Sequence, residues 1–276
     1  NEGRLLARLS SRTSSIVQAH DIGTFATPAE TRIPFLVLEW VDGRTLDDVF
    51  EAERKKGATA WSFQEIRRLL GPVALAMDVV HDEGVAHRDL KPANILVLGG
   101  DPRREAVRIK ILDFGVAKMM LDNARFHAAL AVTGRIVHAF TPLYGAPEQF
   151  SRKHGATGPW TDVYALALIA VEMLTGKPPL EGRDVAELSR ASCDPDRRAT
   201  PRNAGLMVPE GVEKVFEKAL AVSPTERYAR AGELWSALET ALESMFSSPE
   251  WQTPSPSMVA VSPSPRRRSR AKAGAR

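Results

Sequence analysis

The octapeptide His87-Arg88-Asp89-Leu90-Lys91-Pro92-Ala93-Asn94, followed 19 residues after Asn94 by Asp113-Phe114-Gly115, constrains this chain more than any other feature. Between the two clusters lie NILVL, a polar turn at GGDPRREA, and VRIKIL, in which Val107, Ile109 and Ile111 share one face. Those runs read as short strands, and Val85 to His87 (VAH) reads as another just before the octapeptide. The segments together predict small hairpins supporting a loop. Turn residues with capping carboxylates are the ordinary alternative, but a cap needs no fixed set of neighbours.

Composition sets the class. With 276 residues, 43% hydrophobic and 26% charged, the chain has the balance of one large or two small globular domains, which excludes disorder throughout. Lys and Arg number 37 against 34 Asp and Glu, a net charge of +3. The excess is local: residues 247–276 hold six basic residues against Glu250 alone, which leaves residues 1–246 at −2. Cys193 is the single cysteine, so a disulfide scaffold and a Cys-based zinc site are excluded and a reducing, cytoplasmic setting is expected. The longest apolar run, Val163 to Leu174, is interrupted by Glu172 and falls short of the roughly 20 residues that span a bilayer, so no membrane span is expected. The first dozen residues lack the apolar stretch of a signal peptide, and the chain, starting with Asn, reads as a piece with something missing upstream.

Periodicity places the remaining elements. Leu5, Leu6 and Leu9 have helical spacing, and IVQAHDIGTF and PFLVLEWVDG read as two strands. Ser62 with Glu65 has the form of a capping box, and Phe63, Ile66, Leu69, Leu70, Val73, Met77 and Val80 continue one apolar face to about Gly84. Gly71-Pro72 inside this long helix predicts a bend. Residues 121–160 carry little periodicity and predict a long irregular segment, of the kind that is usually functional. Helices are then expected over Asp162 to Leu174, closed by Gly176 and Pro178, over Gly211 to Ala221, and over Ala231 to Met245. The Ser/Pro/Arg-rich end is too poor in apolar residues to fold alone, and no internal repeat is present.

The octapeptide and the Asp-Phe-Gly triplet resemble the catalytic loop and metal-binding loop of the eukaryotic-type serine/threonine protein kinases, in their bacterial form. Seven specified residues in eight would arise by chance in a chain this long about once in several million, so the match is specific. The resemblance implies a two-lobe α+β kinase fold, with a mostly helical C-lobe and an incomplete β-rich N-lobe. It implies a partial N-lobe over residues 1–41, a C-lobe over 42–246, and a disordered basic tail over 247–276. Asp89 would then orient the attacking hydroxyl, Lys91 would offset charge on the transferring phosphoryl group, and Asn94 and Asp113 would hold Mg2+. Lys91 points to the serine/threonine rather than the tyrosine type. Arg88 is the residue that a phosphorylated activation loop pairs with, and Thr133 is the candidate phosphosite, with self-phosphorylation as one source. Phe114 and Gly115 complete the metal-binding loop.

Further matches extend over most of the chain. Ala146-Pro147-Glu148 looks like the end of the activation segment, Arg227 matches its ion-pair partner, and Asp162 matches the aspartate that holds the catalytic loop's backbone. Thr141 stands where the family has a threonine near the catalytic Asp. Phe140 replaces the usual glycine before it, and Gly145 stands where many members have a larger residue. For ATP, the resemblance implies Leu38 as gatekeeper, the backbone of Glu39 and Val41 against adenine, Thr45 near ribose, and Leu96 as the pocket floor. Glu2 matches the helix glutamate that pairs with a strand lysine. No glycine-rich GxGxxG occurs and the first lysine is Lys55, so the first N-lobe strands are expected to be absent from this chain.

Three functions compete on these residues. The first is a serine/threonine protein kinase acting in signalling, which takes ATP and a protein substrate with Ser or Thr. The second is a catalytically impaired kinase-like binding or scaffold module, motivated by the missing lysine and glycine-rich loop. The third is a small-molecule phosphotransferase, which the long activation segment and Arg227 disfavour. His20, His127, His138 and His154 lack metal-ligand spacing and read as surface or loop residues. The basic tail reads as a solvated linker, with contact to anionic surfaces as the alternative; no nucleic-acid partner is expected.

Overall fold

The computed structural model describes residue 9 and residues 11–27, 32–57, 60–113 and 140–247. Strands β1 (Ala19–Ala26) and β2 (Arg32–Leu38) form an antiparallel hairpin, with Ala19 opposite Leu38, Phe25 opposite Ile33 and a bulge between Ala19 and Asp21. Phe25, Phe35 and Val37 are exposed. A three-stranded antiparallel sheet has the order β3 (Arg44–Thr45), β4 (Ile95–Leu98), β5 (Arg108–Ile111). Residues 15–17 join the two sheets. The Val17 N–H donates to the Ile111 carbonyl at 3.1 Å and the Ile111 N–H donates to the Ser15 carbonyl at 2.7 Å.

Helix α1 (Leu46–Lys55) starts at a capping box: Thr45 accepts from the Asp48 N–H, and the Asp48 carboxylate accepts from the Thr45 N–H. Helix α2 (Phe63–Asp82) repeats the device with Ser62 and Glu65, and its predicted apolar face is buried. It runs unbroken through Pro72. Gly71 serves packing here, because a Cβ at that position would stand 3.3 Å from Nε1 of Trp235.

A single-turn helix α3 (Pro147–Phe150) precedes α4 (Pro159–Thr175), in which every residue from Thr161 to Leu174 is buried. An apolar helix of this kind has to be enclosed on all sides. Helices α2, α6 (Glu210–Ala219) and α7 (Ala231–Ser247) pack against it, and α5 (Val185–Ser192) lies beside α3. Gly176 ends α4 in the left-handed region at φ 66°, where a side chain would be strained. No helix among the described residues is long and apolar enough to cross a membrane.

Several local expectations change. Residues Val85 to His87 form no strand, because the backbone amides of His87 and Arg88 donate to a side chain of α4 instead of a neighbouring strand. The irregular stretch after Phe140 contains α3 and short 3-10 turns at Pro142–Tyr144 and Arg152–His154. Helices α1 and α5 are additions. Of the first expected helix, Leu9 alone is described, helical and buried.

Replacing Ser62 with Ala removes the hydroxyl that accepts from the Glu65 N–H. It should lower the unfolding free energy by about 1 kcal/mol. In urea unfolding this appears as a lower midpoint at unchanged slope; an unchanged midpoint would contradict the cap's role.

Candidate active site

Asp162, in the first turn of α4, is 1% exposed. Its Oδ1 accepts the Arg88 N–H at 2.7 Å and its Oδ2 accepts the His87 N–H at 2.7 Å. His81 of α2 lies 3.0 Å from the same Oδ2 through Nε2. His81 Nδ1 accepts the Ala231 N–H at 3.1 Å, which places the ring proton on Nε2 and makes that nitrogen the donor to Asp162. One buried carboxylate therefore takes three donors from two segments, and its charge lies near the positive end of α4.

This grip shapes the loop. Arg88 sits at φ 65°, a conformation that costs a side-chain-bearing residue about 1–3 kcal/mol. The His87 ring donates from Nε2 to the Leu112 carbonyl at 2.7 Å and accepts the Asp89 N–H at 3.3 Å through Nδ1. The Gln149 side chain of α3 donates to the Arg88 carbonyl at 2.7 Å.

Asp89 faces the opening of the loop, its side chain 28% exposed. The Thr141 N–H donates to Asp89 Oδ1 at 2.7 Å, Lys91 Nζ lies 3.0 Å from Asp89 Oδ2, and Lys91 Nζ donates to Thr141 Oγ1 at 2.7 Å. Asn94 spends its amide nitrogen on the Asp89 carbonyl at 2.8 Å, which leaves its amide oxygen as the acceptor end. The Leu112 N–H donates to the Asn94 carbonyl at 2.9 Å, so Asp113, at φ 50°, follows directly on a residue tied to Asn94. Asn94 directly precedes β4 and Asp113 lies just beyond β5, so the hairpin places two residues with oxygen-bearing side chains at the same end of the sheet. Oxygen donors of this kind suit a hard cation such as Mg2+. Among the described residues no group of three or more His, Cys, Asp and Glu forms a metal cluster.

Two further anchors hold the segment after Thr141. Arg227 Nη1 and Nη2 each lie 2.9 Å from one oxygen of Glu148, and both side chains are fully buried. The remaining Arg227 donors go to the carbonyls of Ala221, Val222 and Trp160, and Thr161 Oγ1 donates to Glu148 at 2.8 Å. The Tyr144 hydroxyl donates to Glu172 of α4, and Arg54 Nη1 of α1 lies 3.8 Å from the other Glu172 oxygen. Burial raises the Glu172 carboxyl above the ordinary carboxylate range, against the opposing pull of the Tyr144 hydroxyl and Arg54. Burial likewise raises the Tyr144 hydroxyl.

At the other end of the sheet, Leu38 closes β2 and the Glu39 N–H donates to the Gln18 carbonyl at 2.9 Å. The Glu39 carboxylate accepts the Gln18 N–H and pairs with Lys110. Burial disfavours its charge, yet the bonds from Lys110 and Gln18 outweigh that and hold its pKa below the ordinary value. Val41 follows one residue after the exposed Trp40. Thr45 has its hydroxyl engaged with Asp48, and Leu96, opposite Thr45 on β4, is 8% exposed. The structure thus ties Asp89 to Lys91, Asn94 and Thr141, places Asp113 directly after a residue bonded to Asn94, and sets Leu38 at the end of β2, Glu39 and Val41 in the connection to β3, and Thr45 opposite Leu96. Glu2, Phe114, Gly115 and Thr133 lie outside the described residues. Sequence reasoning gave no role to His81, Gln149, Tyr144 or Glu172; only the tertiary partners reveal them.

Two measurements check these anchors. Glu148→Ala leaves a buried guanidinium without its carboxylate and should lower stability by about 3–5 kcal/mol; a loss under about 1 kcal/mol in urea unfolding would contradict the pairing. A carboxyl with a raised folded-state pKa contributes its full stability below the ordinary value of 4.5 and loses it as pH climbs through the folded value. Unfolding free energies of wild type and Glu172→Gln, compared from pH about 4 to about 8, should therefore shift in the variant's favour as pH rises. A difference independent of pH would contradict the assignment.

Comparison with known proteins places this geometry. The family model described as the protein kinase domain matches residues 1–243. The chain is 31% identical over 258 residues to the serine/threonine-protein kinase PknL of Mycobacterium tuberculosis, covering 92% of this chain and 57% of that protein. It is 30% identical over 221 residues to the serine/threonine-protein kinase PknB of Mycobacterium leprae, covering 80% of this chain and 32% of that protein. The chain thus spans from about a third to somewhat over half the length of these curated relatives. In fold it resembles the PknI kinase domain of Mycobacterium tuberculosis, with a TM-score of 0.54 and 24% identity over 86% of this chain and 75% of that one. It also resembles Rad53 residues 1–466 in complex with AMP-PNP, with a TM-score of 0.59 and 22% identity over 86% of this chain and 53% of that one. The mostly helical α+β architecture is accordingly a protein-kinase-like fold, and the chain belongs to the protein kinase domain family, with bacterial serine/threonine-protein kinases as its relatives.

Proposed function

We propose that this chain is the catalytic domain of a serine/threonine protein kinase that transfers the γ-phosphoryl group of ATP to Ser or Thr hydroxyls of a protein in a cytoplasmic signalling role. The observation that carries the reading is the Asp89 carboxylate, fixed by the Thr141 N–H and Lys91 and partly open to solvent, with the Asn94 amide bonded to the Asp89 carbonyl.

Each group has a physical task. Asp89 Oδ2 accepts the proton of the incoming hydroxyl and turns its lone pair toward the phosphorus, while Oδ1 stays on the Thr141 N–H. Lys91 offsets negative charge as the phosphoryl group moves between oxygens. Asn94 Oδ1 and the Asp113 carboxylate would hold Mg2+, which when bound compensates phosphate charge. Leu38, Leu96 and the Glu39 carbonyl supply the apolar walls and one acceptor that an adenine ring uses, with Glu39 held in place through Lys110. Arg88 would meet phosphate on Thr133 after self-phosphorylation.

The test is phosphotransfer from ATP with Mg2+ to a Ser/Thr-containing protein, using the full-length protein that carries this chain. Asp89→Asn should lose about 10²–10⁴-fold in rate while still binding an ATP analogue. A full-length wild type that binds nucleotide and a protein partner but transfers nothing would favour the scaffold reading instead.

A further inference from the structure

Gly145 carries backbone angles of φ −71° and ψ 128°, an extended conformation open to any residue, so its missing side chain answers a demand for space. A Cβ built there would stand 2.5 Å from Cε2 of Phe140 and 2.8 Å and 2.9 Å from atoms of the Phe150 ring. The two rings meet edge to face, with centroids 5.0 Å apart at 89°. Phe140 therefore fills the volume that a side chain at position 145 would take. The two departures from the kinase pattern noted in the sequence are two halves of one exchange of bulk.

The position of that ring matters because of its neighbours. Phe140 directly precedes Thr141, whose N–H holds Asp89 Oδ1 and whose hydroxyl accepts from Lys91. Phe150 closes α3, the helix that Glu148 fastens to Arg227 and that Gln149 fastens to the Arg88 carbonyl. Gly145 itself is held by Ser192, whose hydroxyl donates to its carbonyl at 2.8 Å. The ring thus connects a firmly anchored helix to the residue that orients the catalytic carboxylate.

We infer that Phe140 is a positioning residue: wedged over Gly145 against Phe150, its ring sets the Thr141 N–H on Asp89. Edge-to-face aromatic pairs favour one relative orientation, which gives the contact direction as well as burial. Phe140 acts through Thr141. The inference rests on the proposed phosphotransfer reading, whose residues it orients.

In the full-length protein, Phe140→Ala should lower kcat by about tenfold or more while leaving KM for ATP within about twofold, as loss of orientation at the reacting groups requires. Gly145→Met alone should also lower kcat, because its side chain drives the ring away. The double variant Phe140→Gly with Gly145→Met should recover to within about threefold of wild type. Amide hydrogen exchange supplies a readout independent of turnover: the Thr141 N–H should exchange at least about tenfold faster in Phe140→Ala. A Phe140→Ala protein with kcat within about twofold of wild type, or single-variant losses that simply add in the double variant, would overturn the inference. If the full-length wild type transfers no phosphoryl group, the function reading fails by itself. Thr141 exchange then decides the wedge alone, with faster exchange supporting it and unchanged exchange overturning it.

Discussion

One buried charge, the carboxylate of Asp162, organises the site. A carboxylate removed from water is stable only where donors replace its hydration. Here the donors are the consecutive backbone amides of His87 and Arg88 and a histidine of α2, so satisfying the charge fixes the loop after Val85. The same bonds offset the left-handed strain at Arg88, which would otherwise relax. From that point the chain of contacts runs outward: His87 to Leu112, Leu112 to Asn94, and Asn94 to Asp89. The chemistry-bearing side chains are thus referenced to a helix enclosed in the core rather than to a surface loop.

The segment after residue 140 is held differently. Its far end is locked by the bidentate Glu148–Arg227 pair, in which every guanidinium nitrogen has a partner. Its near end rests on the polar contacts of Thr141 with Asp89 and Lys91, in a partly exposed setting. Strength therefore grades along the segment, from a dry ion pair to a solvent-edged joint beside Asp89 and Lys91. Tyr144, midway, is tied to the raised-pKa carboxyl of Glu172, which adds a third fixed point on α4.

Much of this was legible in residue order. The Ser62–Glu65 cap and the apolar run of α4 are local patterns, and each stands where the pattern places it. Helices α1 and α5 escaped because each is short, and α1 is mostly charged outside Leu46, Val49 and Phe50, although Thr45 with Asp48 carried the same cap signature as α2. The Val85 to His87 run looked like a strand by side-chain type, yet its Val85 amide turns back to the Val80 carbonyl and its His87 amide donates to Asp162, about 75 residues away. His81 and Glu172 gave no signal, since a lone histidine or glutamate on a helix acquires its role only from what packs opposite. Phe140 and Gly145 were visible singly as departures; only the three-dimensional contact joins them.

The central claim, that the Asp162 carboxylate holds the loop at His87 and Arg88, is tested most directly by amide hydrogen exchange on Asp162→Asn. An asparagine offers one acceptor to three donors and turns its own N–H groups toward the others. The account predicts that the His87 and Arg88 amides lose at least about tenfold protection while the interiors of α2 and α4 keep theirs. Unchanged protection at His87 and Arg88 in a folded variant would contradict it.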